Sequence, residues 1–214
     1  MRDSIGSKLN IRNLKEIFKI LKGLPAYGEM YISIPENGYS EFSEGLAIKF
    51  IKKDNTEWIG NFETGSSNLK FATKLKDSEN ILIIACGNCY IMNSEETQPK
   101  VEFGHDYKYI FEYKTKFVLV GEYSISIVES IDKIEHLDNL CYDGITNVKL
   151  ENENLIGELN SYDADGEYKS DFILNLETSE FKEIERIKKQ NKVINQNGIS
   201  SKDIVKNKKW WKLW

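Results

Sequence analysis

Cysteine, proline and histidine are all scarce in this chain: its 214 residues hold three, three and two of them. Three cysteines cannot close a disulfide framework, so a reducing compartment is the simpler expectation. No stretch approaches about eighteen consecutive apolar residues, and nothing transmembrane is expected. The opening MRDSIGSKLNIRNLKEIFKIL is charged and amphipathic, without the apolar core and cleavage site of a secretory signal. The expected location is cytoplasmic. There is also no GxGxxG, no Walker phosphate loop and no HExxH helix. No catalytic residue, metal site or cofactor is predicted, and the chain is not expected to be an enzyme.

What is present is a core-forming composition, 40% hydrophobic and 12% aromatic, which belongs to a folded globular protein. The net charge of −5 is unevenly spread: residues 182–214 carry ten Lys/Arg against three acids, and residues 1–181 carry 19 against 31, a net −12. An acidic body repels nucleic acid and attracts basic partners.

Residues 9–22 place Leu14, Ile17, Phe18 and Leu21 at helical spacing after a capping Asn13, and Gly23 and Pro25 end the segment. The chain from about 28 to 178 instead alternates short Ile/Val/Phe/Tyr runs with Gly, Asn, Asp and Ser clusters, the signature of strands joined by turns. Helical spacing resumes in SEFKEIERIKKQ from 179. The expected fold is mainly β, with antiparallel blade-like sheets and short helices at the N- and C-terminal ends. Residues 1–190 are expected to form a single β-rich domain, and 191–214 a basic, Trp-rich tail.

Shifted by 36 residues, ILIIACGNCYIMN (81–93) lies over FVLVGEYSISIVE (117–129). Ile81–Ile84 fall on Phe117–Val120, Cys89 on Ile125 and Met92 on Val128. Spacings of this size recur in blade-like sheets, and two copies predict two such sheets packed together. The repeat also interprets Cys86-Gly87-Asn88-Cys89. Structural zinc takes four N/S ligands, and a thioredoxin-like pair opens a helix, whereas this motif leads into another strand. CGNC is expected to be a strand turn.

Asp163, Asp165 and Glu167 in SYDADGEYKSD resemble a calcium loop, but an EF-hand needs glycine at its sixth position and an acid at its twelfth. Counted from Asp163, glycine comes fourth and Leu174 twelfth, so an acidic hairpin tip is the expectation. His105 and His136 each stand near an acid that could orient an imidazole, yet neither accompanies a recognisable nucleophile elbow. The KNKKWWKLW ending combines Lys206, Lys208, Lys209 and Lys212 with Trp210, Trp211 and Trp214. It suits either an interfacial or stacking strip or a tail that docks on an acidic body. Docking is preferred on charge, without stable membrane insertion.

Two stretches, 58–93 and 136–181, resemble a widespread family of small uncharacterised bacterial proteins. The matching residues are Trp58, Gly60, Asn61 and Phe62; Gly87 and Tyr90; Asp143, Gly144 and Ile145; and Phe172, Leu174, Asn175, Leu176 and Thr178. Cys141-Tyr142 replaces the usual Ser-Trp, and the family's glycine-rich ending is missing. Members look like acidic immunity proteins found beside toxins. The resemblance implies a non-enzymatic immunity protein that occludes a cognate bacterial toxin, one with a basic surface. Asp143, Asp163, Asp165, Glu167, Trp210, Trp211 and Trp214 are the expected partner-binding residues. The alternative is a small-ligand binder or enzyme with a pocket between the sheets, using His105 or His136.

Overall fold

The computed structural model describes residues 17–26, 30–36, 43–76, 78–163 and 166–185. They form four four-stranded sheets. Sheet I holds β1 (Phe18–Ile20), β2 (Tyr31–Ile34), β3 (Leu46–Ile51) and β4 (Glu57–Phe62), in the order β1-β3-β4-β2. Sheet II is a meander of β5 (Lys70–Lys74), β6 (Asn80–Ala85), β7 (Asn88–Asn93) and β8 (Val101–Phe103). Sheet III repeats that order with β9 (Tyr109–Tyr113), β10 (Lys116–Val120), β11 (Ile125–Ser130) and β12 (Lys133–Leu137). Sheet IV follows with β13 (Ile145–Glu151), β14 (Asn154–Asp163), β15 (Gly166–Asn175) and β16 (Glu180–Glu185). Neighbours are antiparallel except β2 and β4, which run parallel.

The sheets stack face to face, which explains the continuous apolar runs NILIIA and KFVLV: both faces of these strands are buried. Residue parity divides each strand between two cores. In β6 and β7, Ile81, Ile83, Tyr90 and Met92 pack with Ile34, Ile48, Phe50 and Phe62 of sheet I. Their alternates Leu82, Ile84, Cys89 and Ile91 meet Phe117, Leu119 and Val128 of sheet III. The other face of sheet III, Val118, Val120, Ile125 and Ile127, packs on Leu155, Leu159, Phe172 and Leu174. The central hairpins share one register offset by 36 residues: Ile81 pairs with Met92 and Phe117 with Val128, then Ile84 with Cys89 and Val120 with Ile125.

The architecture corrects three expectations. There are four sheets where two were predicted. Residues 18–20 are a strand: the open edge of β3 takes up Phe18 opposite Phe50, and Ile51 N–H donates to the Ile17 carbonyl at 2.9 Å. An unpaired sheet edge outweighs weak helical spacing. The remainder of that predicted helix, through residue 16, lies outside the described residues. Residues 180–185 are likewise a strand. Helical spacing would put Phe181 and Ile184 on one face, but Phe181 stacks on Phe172 at 5.6 Å while Ile184 is 48% exposed. Residues 186–190 lie outside the described residues. Among the described residues no helix is long and apolar enough to cross a membrane.

Candidate binding end of the sheet stack

All three connections between consecutive sheets, residues 63–69, 104–108 and 138–144, pass over the same end of the stack, as do the hairpin turns at 86–87 and 121–124. Backbone bonds tie them together. Gly65 N–H donates to Ala85 O at 2.9 Å, Ser66 N–H to His105 O at 2.8 Å and Ser67 N–H to Cys86 O at 2.8 Å. Further along, Leu140 N–H reaches Tyr123 O and Ile145 N–H reaches Glu122 O. Gly65 is required by this packing, because a Cβ there would lie 2.0 Å from His105 O and 2.7 Å from Asn88 N.

CGNC is the β6–β7 turn. Cys86 and Gly87 fill its two central positions with φ of 51° and 103°, the left-handed pair of a tight hairpin. Cys89 points into the core between sheets II and III, where burial pushes its thiol up. Cys141 is buried too, with Sγ 3.7 Å from the Glu122 carbonyl, and burial raises it as well. Among the described residues no three His, Cys, Asp or Glu side chains are grouped to hold a metal.

Both histidines terminate polar chains. His105 Nδ1 lies 3.0 Å from Asn88 Oδ1, and the Tyr90 hydroxyl donates to Glu63 O at 2.9 Å beside it. His136 Nδ1 lies 2.8 Å from Ser126 Oγ, which also contacts the Tyr107 hydroxyl. A serine touching a histidine is the beginning of a nucleophile–base pair. Ser126 is fully buried, however, with its hydroxyl enclosed between Tyr107 and His136, so the arrangement satisfies a buried polar group. Burial raises the Tyr107 and Tyr90 phenols.

On the outside, this end carries exposed tyrosines and acids. Four of the seven large exposed hydrophobic side chains among the described residues are here: Tyr109, Tyr123, Tyr142 and Tyr162, at 44%, 42%, 83% and 69% exposure. They belong to sheets III and IV and the connection between them. Tyr109 pairs with Val120, which precedes the 121–124 turn; Tyr123 O accepts from Leu140; and Tyr142 N–H donates to Ser161 Oγ at 3.3 Å, with Tyr162 following on the opposite face of β14. Between them lie exposed Asp138 and Asp143. Glu122 binds Lys108 at 3.1 Å, and its N–H donates to Asp106 Oδ2 at 2.8 Å. The Glu122 carboxylate pushes the Tyr123 phenol up. Burial, then the neighbouring Glu63, pushes the Glu102 carboxyl up.

Of the residues named from sequence, Asp143 is placed here. It sits before Gly144 (φ 103°), and its N–H donates to Asn160 O at 2.9 Å. Asp163 closes β14 opposite Gly166, and Glu167 pairs with Tyr162, so both backbones belong to the same end. Asp165 and Trp210, Trp211 and Trp214 lie outside the described residues. The sequence reading missed the tyrosines, although their contexts carried a signal: GEYS, CYDG and SYDADG each set Tyr among turn-forming Gly, Asp or Ser. The residues of the family resemblance have structural positions. Trp58 stacks on Phe50 at 4.4 Å and donates to Ser94 O at 2.8 Å. Buried Asn61 accepts from Gly45 N–H at 2.8 Å, and Asn175 Oδ1 accepts from the Glu177 and Thr178 N–H groups. No protein-family model matches this chain, and no curated protein matches it.

Proposed function

We propose that the protein is a non-catalytic binder that uses the acidic, tyrosine-bearing end of its sheet stack to occlude a basic protein, in the manner of an immunity protein neutralising a cognate toxin. The observation that carries this reading is the coincidence of Tyr109, Tyr123, Tyr142 and Tyr162 with Asp138, Asp143 and Glu122 on one end. Tyrosine is enriched at protein interfaces because a rigid ring buries large area at small entropic cost. Acidic loops add electrostatic steering toward a basic partner. Asp163, Asp165 and Glu167 are kept from the sequence as further candidate partner-binding acids. The filled cores between the sheets favour surface binding over an internal pocket: a depression of about 670 Å³ at Lys74–Glu79 is open and lies at the opposite end. The shared 36-residue register of sheets II and III supports reading them as copies of one blade-like unit.

The test is capture from producing cells with the full chain and with an Asp138→Lys/Asp143→Lys chain. The expected partner is retained by the first and lost by the second. Expressed alone, it arrests growth; co-expression with the wild-type chain relieves the arrest. A captured protein that is harmless alone, or bound equally by both chains, overturns the reading.

A further inference from the structure

The chain's two histidines are both exposed and both turn Nδ1 inward, yet the groups that meet them are of opposite kind. His105 belongs to the 104–108 connection over the tyrosine-bearing end, and His136 stands one residue before the last of β12. A neutral imidazole has one donor and one acceptor nitrogen, so whatever Nδ1 does inside fixes what Nε2 offers outside.

At His105 the inner partner is Asn88 Oδ1, 3.0 Å away. The orientation of that amide follows from its other contacts. Burial pushes the Tyr90 phenol up, so it stays protonated, and its O–H donates to Glu63 O at 2.9 Å. Toward Asn88, the Tyr90 oxygen and Glu63 O can then only accept, and Asn88 Nδ2 lies 3.3 and 3.4 Å from them. Turned over, the amide would set its oxygen against both acceptors. Oδ1 therefore faces His105, whose Nδ1 carries the proton. Nε2 keeps its lone pair on the outer side.

At His136 the order reverses. Tyr107 is buried, and burial pushes its phenol up, so it too stays protonated. Its hydroxyl meets Ser126 Oγ, which also lies 2.8 Å from His136 Nδ1. When Tyr107 donates to Ser126 and Ser126 to His136, both buried hydroxyl protons are paired. The opposite order, from His136 through Ser126 to Tyr107, strands the Tyr107 proton among buried groups. An unpaired buried donor disfavours that order by a factor of about ten or more. His136 Nδ1 accepts, and its outer nitrogen carries the proton. The Phe103 ring, edge-on at 5.1 Å, holds this imidazole in place.

We propose that His105 and His136 hold opposite tautomers, and that His105 alone offers an outward lone pair, an acceptor site for a guanidinium or ammonium N–H of the basic partner. The partner's part in this rests on the binder reading above; the tautomers do not.

Long-range ¹H–¹⁵N correlation in the imidazoles of the full ¹⁵N-labelled chain reads both tautomers at about pH 8, where imidazole is ordinarily neutral. The expected result is a protonated Nδ1 in His105 and a protonated Nε2 in His136. Diethyl pyrocarbonate acylates an unprotonated ring nitrogen, so it should modify His105 about tenfold faster than His136. Ser126→Ala should mix the His136 tautomers and narrow that ratio; the wild-type spectra decide the assignment whether or not this variant folds. Hexa-arginine is the probe for a basic surface, and it should shift His105 Nε2 upfield and leave His136 Nε2 in place. Like tautomers in the two rings, acylation at equal rates, or a His105 Nε2 unmoved by the peptide overturns the proposal. If His105 fails these measurements while Asp138→Lys/Asp143→Lys still abolishes partner capture, the acceptor assignment falls and the binder reading stands. If the tautomers and the peptide shift hold while capture is indifferent to those lysines, the binder reading falls and the acceptor site remains.

Discussion

The two ends of the stack are built from the same strands but distribute charge differently. At the end formed by residues 78–79, 114–115, 131–132 and 152–153, several lysines and glutamates pair with each other. Lys74 meets Glu79 at 2.9 Å, Lys76 meets Glu112 at 3.2 Å, Lys133 meets Glu129 at 2.6 Å, and Lys114 and Tyr113 both reach Glu177. Hydrogen bonds from Lys74, Lys133 and Lys114 hold the Glu79, Glu129 and Glu177 carboxyls below their ordinary value. At the other end Tyr123 is pushed up by a neighbouring carboxylate, and Glu102 by burial and then by Glu63. Exposed ion pairs contribute little to stability, so the contrast is mainly one of field. The first end carries several lysine–glutamate pairs, although Asp132 and Glu153 stand exposed there as well. The second holds the Lys108–Glu122 pair beside exposed Asp138 and Asp143 and the exposed tyrosines.

The sharpest way to break this comparison is backbone packing. Gly65→Ala at the acidic end forces a Cβ against three backbone atoms, His105 O, Asn88 N and Cys86 O, none at the end of a movable side chain. A loss of about 3 kcal/mol or more in denaturant unfolding is expected. Asn152→Gly in a turn of the ion-paired end, where φ is 53°, should stay within about 0.5 kcal/mol of wild type. Equal effects would mean that the crossing connections do not clamp their end.

Association kinetics separate the ends next. Asp138→Lys/Asp143→Lys should slow capture of a basic partner about tenfold at low salt and flatten its salt dependence. Glu79→Lys/Glu151→Lys at the opposite end should leave both unchanged in stopped-flow measurements.

A smaller effect comes from pH, and its sign differs between the ends. Glu79, Glu129 and Glu177 sit below the ordinary 4.5 in the fold. The unfolded chain therefore protonates first, and stabilisation present above pH 4.5 is lost as pH falls through the folded values. Glu102 is raised, so its charged form is disfavoured in the fold and acidification relieves that cost. Urea midpoints should fall on balance below pH 4.5, and Glu177→Gln should reduce the slope while Glu102→Gln should steepen it. The smallest expected change is Lys133→Ala, which removes an ion pair between an exposed lysine and the partly buried Glu129 and should lower the thermal melting midpoint only slightly.

Much of this was legible along the chain. Strands are plain in NILIIA and KFVLV because both faces are buried, and the alternation in β14 and β15 marks a sheet with one buried face. CGNC is readable as a turn because nearby ligands are too few and a strand follows. The errors came where a sparse pattern fits two periods. Phe181 and Ile184 stand three apart, which suits a helix, but an edge of β15 was waiting for a partner strand. The candidate site was half legible. Asp143 follows from turn chemistry, whereas Asp138, Glu122 and the four tyrosines belong to loops and strand ends separated by up to about fifty residues in sequence, and their grouping depends on topology.

The sequence by itself determined the β class, the positions of most strands, the tight turns and the division into acidic body and basic tail. Each of these depends on local propensity, period or a sum of charges. Only the tertiary structure decided how many sheets there are, which core each alternate residue enters, and that three crossing connections share one end. Those outcomes follow from sheet edges finding partners and faces finding cover. It also decided that Ser126 and His136 meet in a buried polar chain, and that the tyrosine-bearing loops share one end: segments tens of residues apart come together only when the connections carrying them cross over the same sheets.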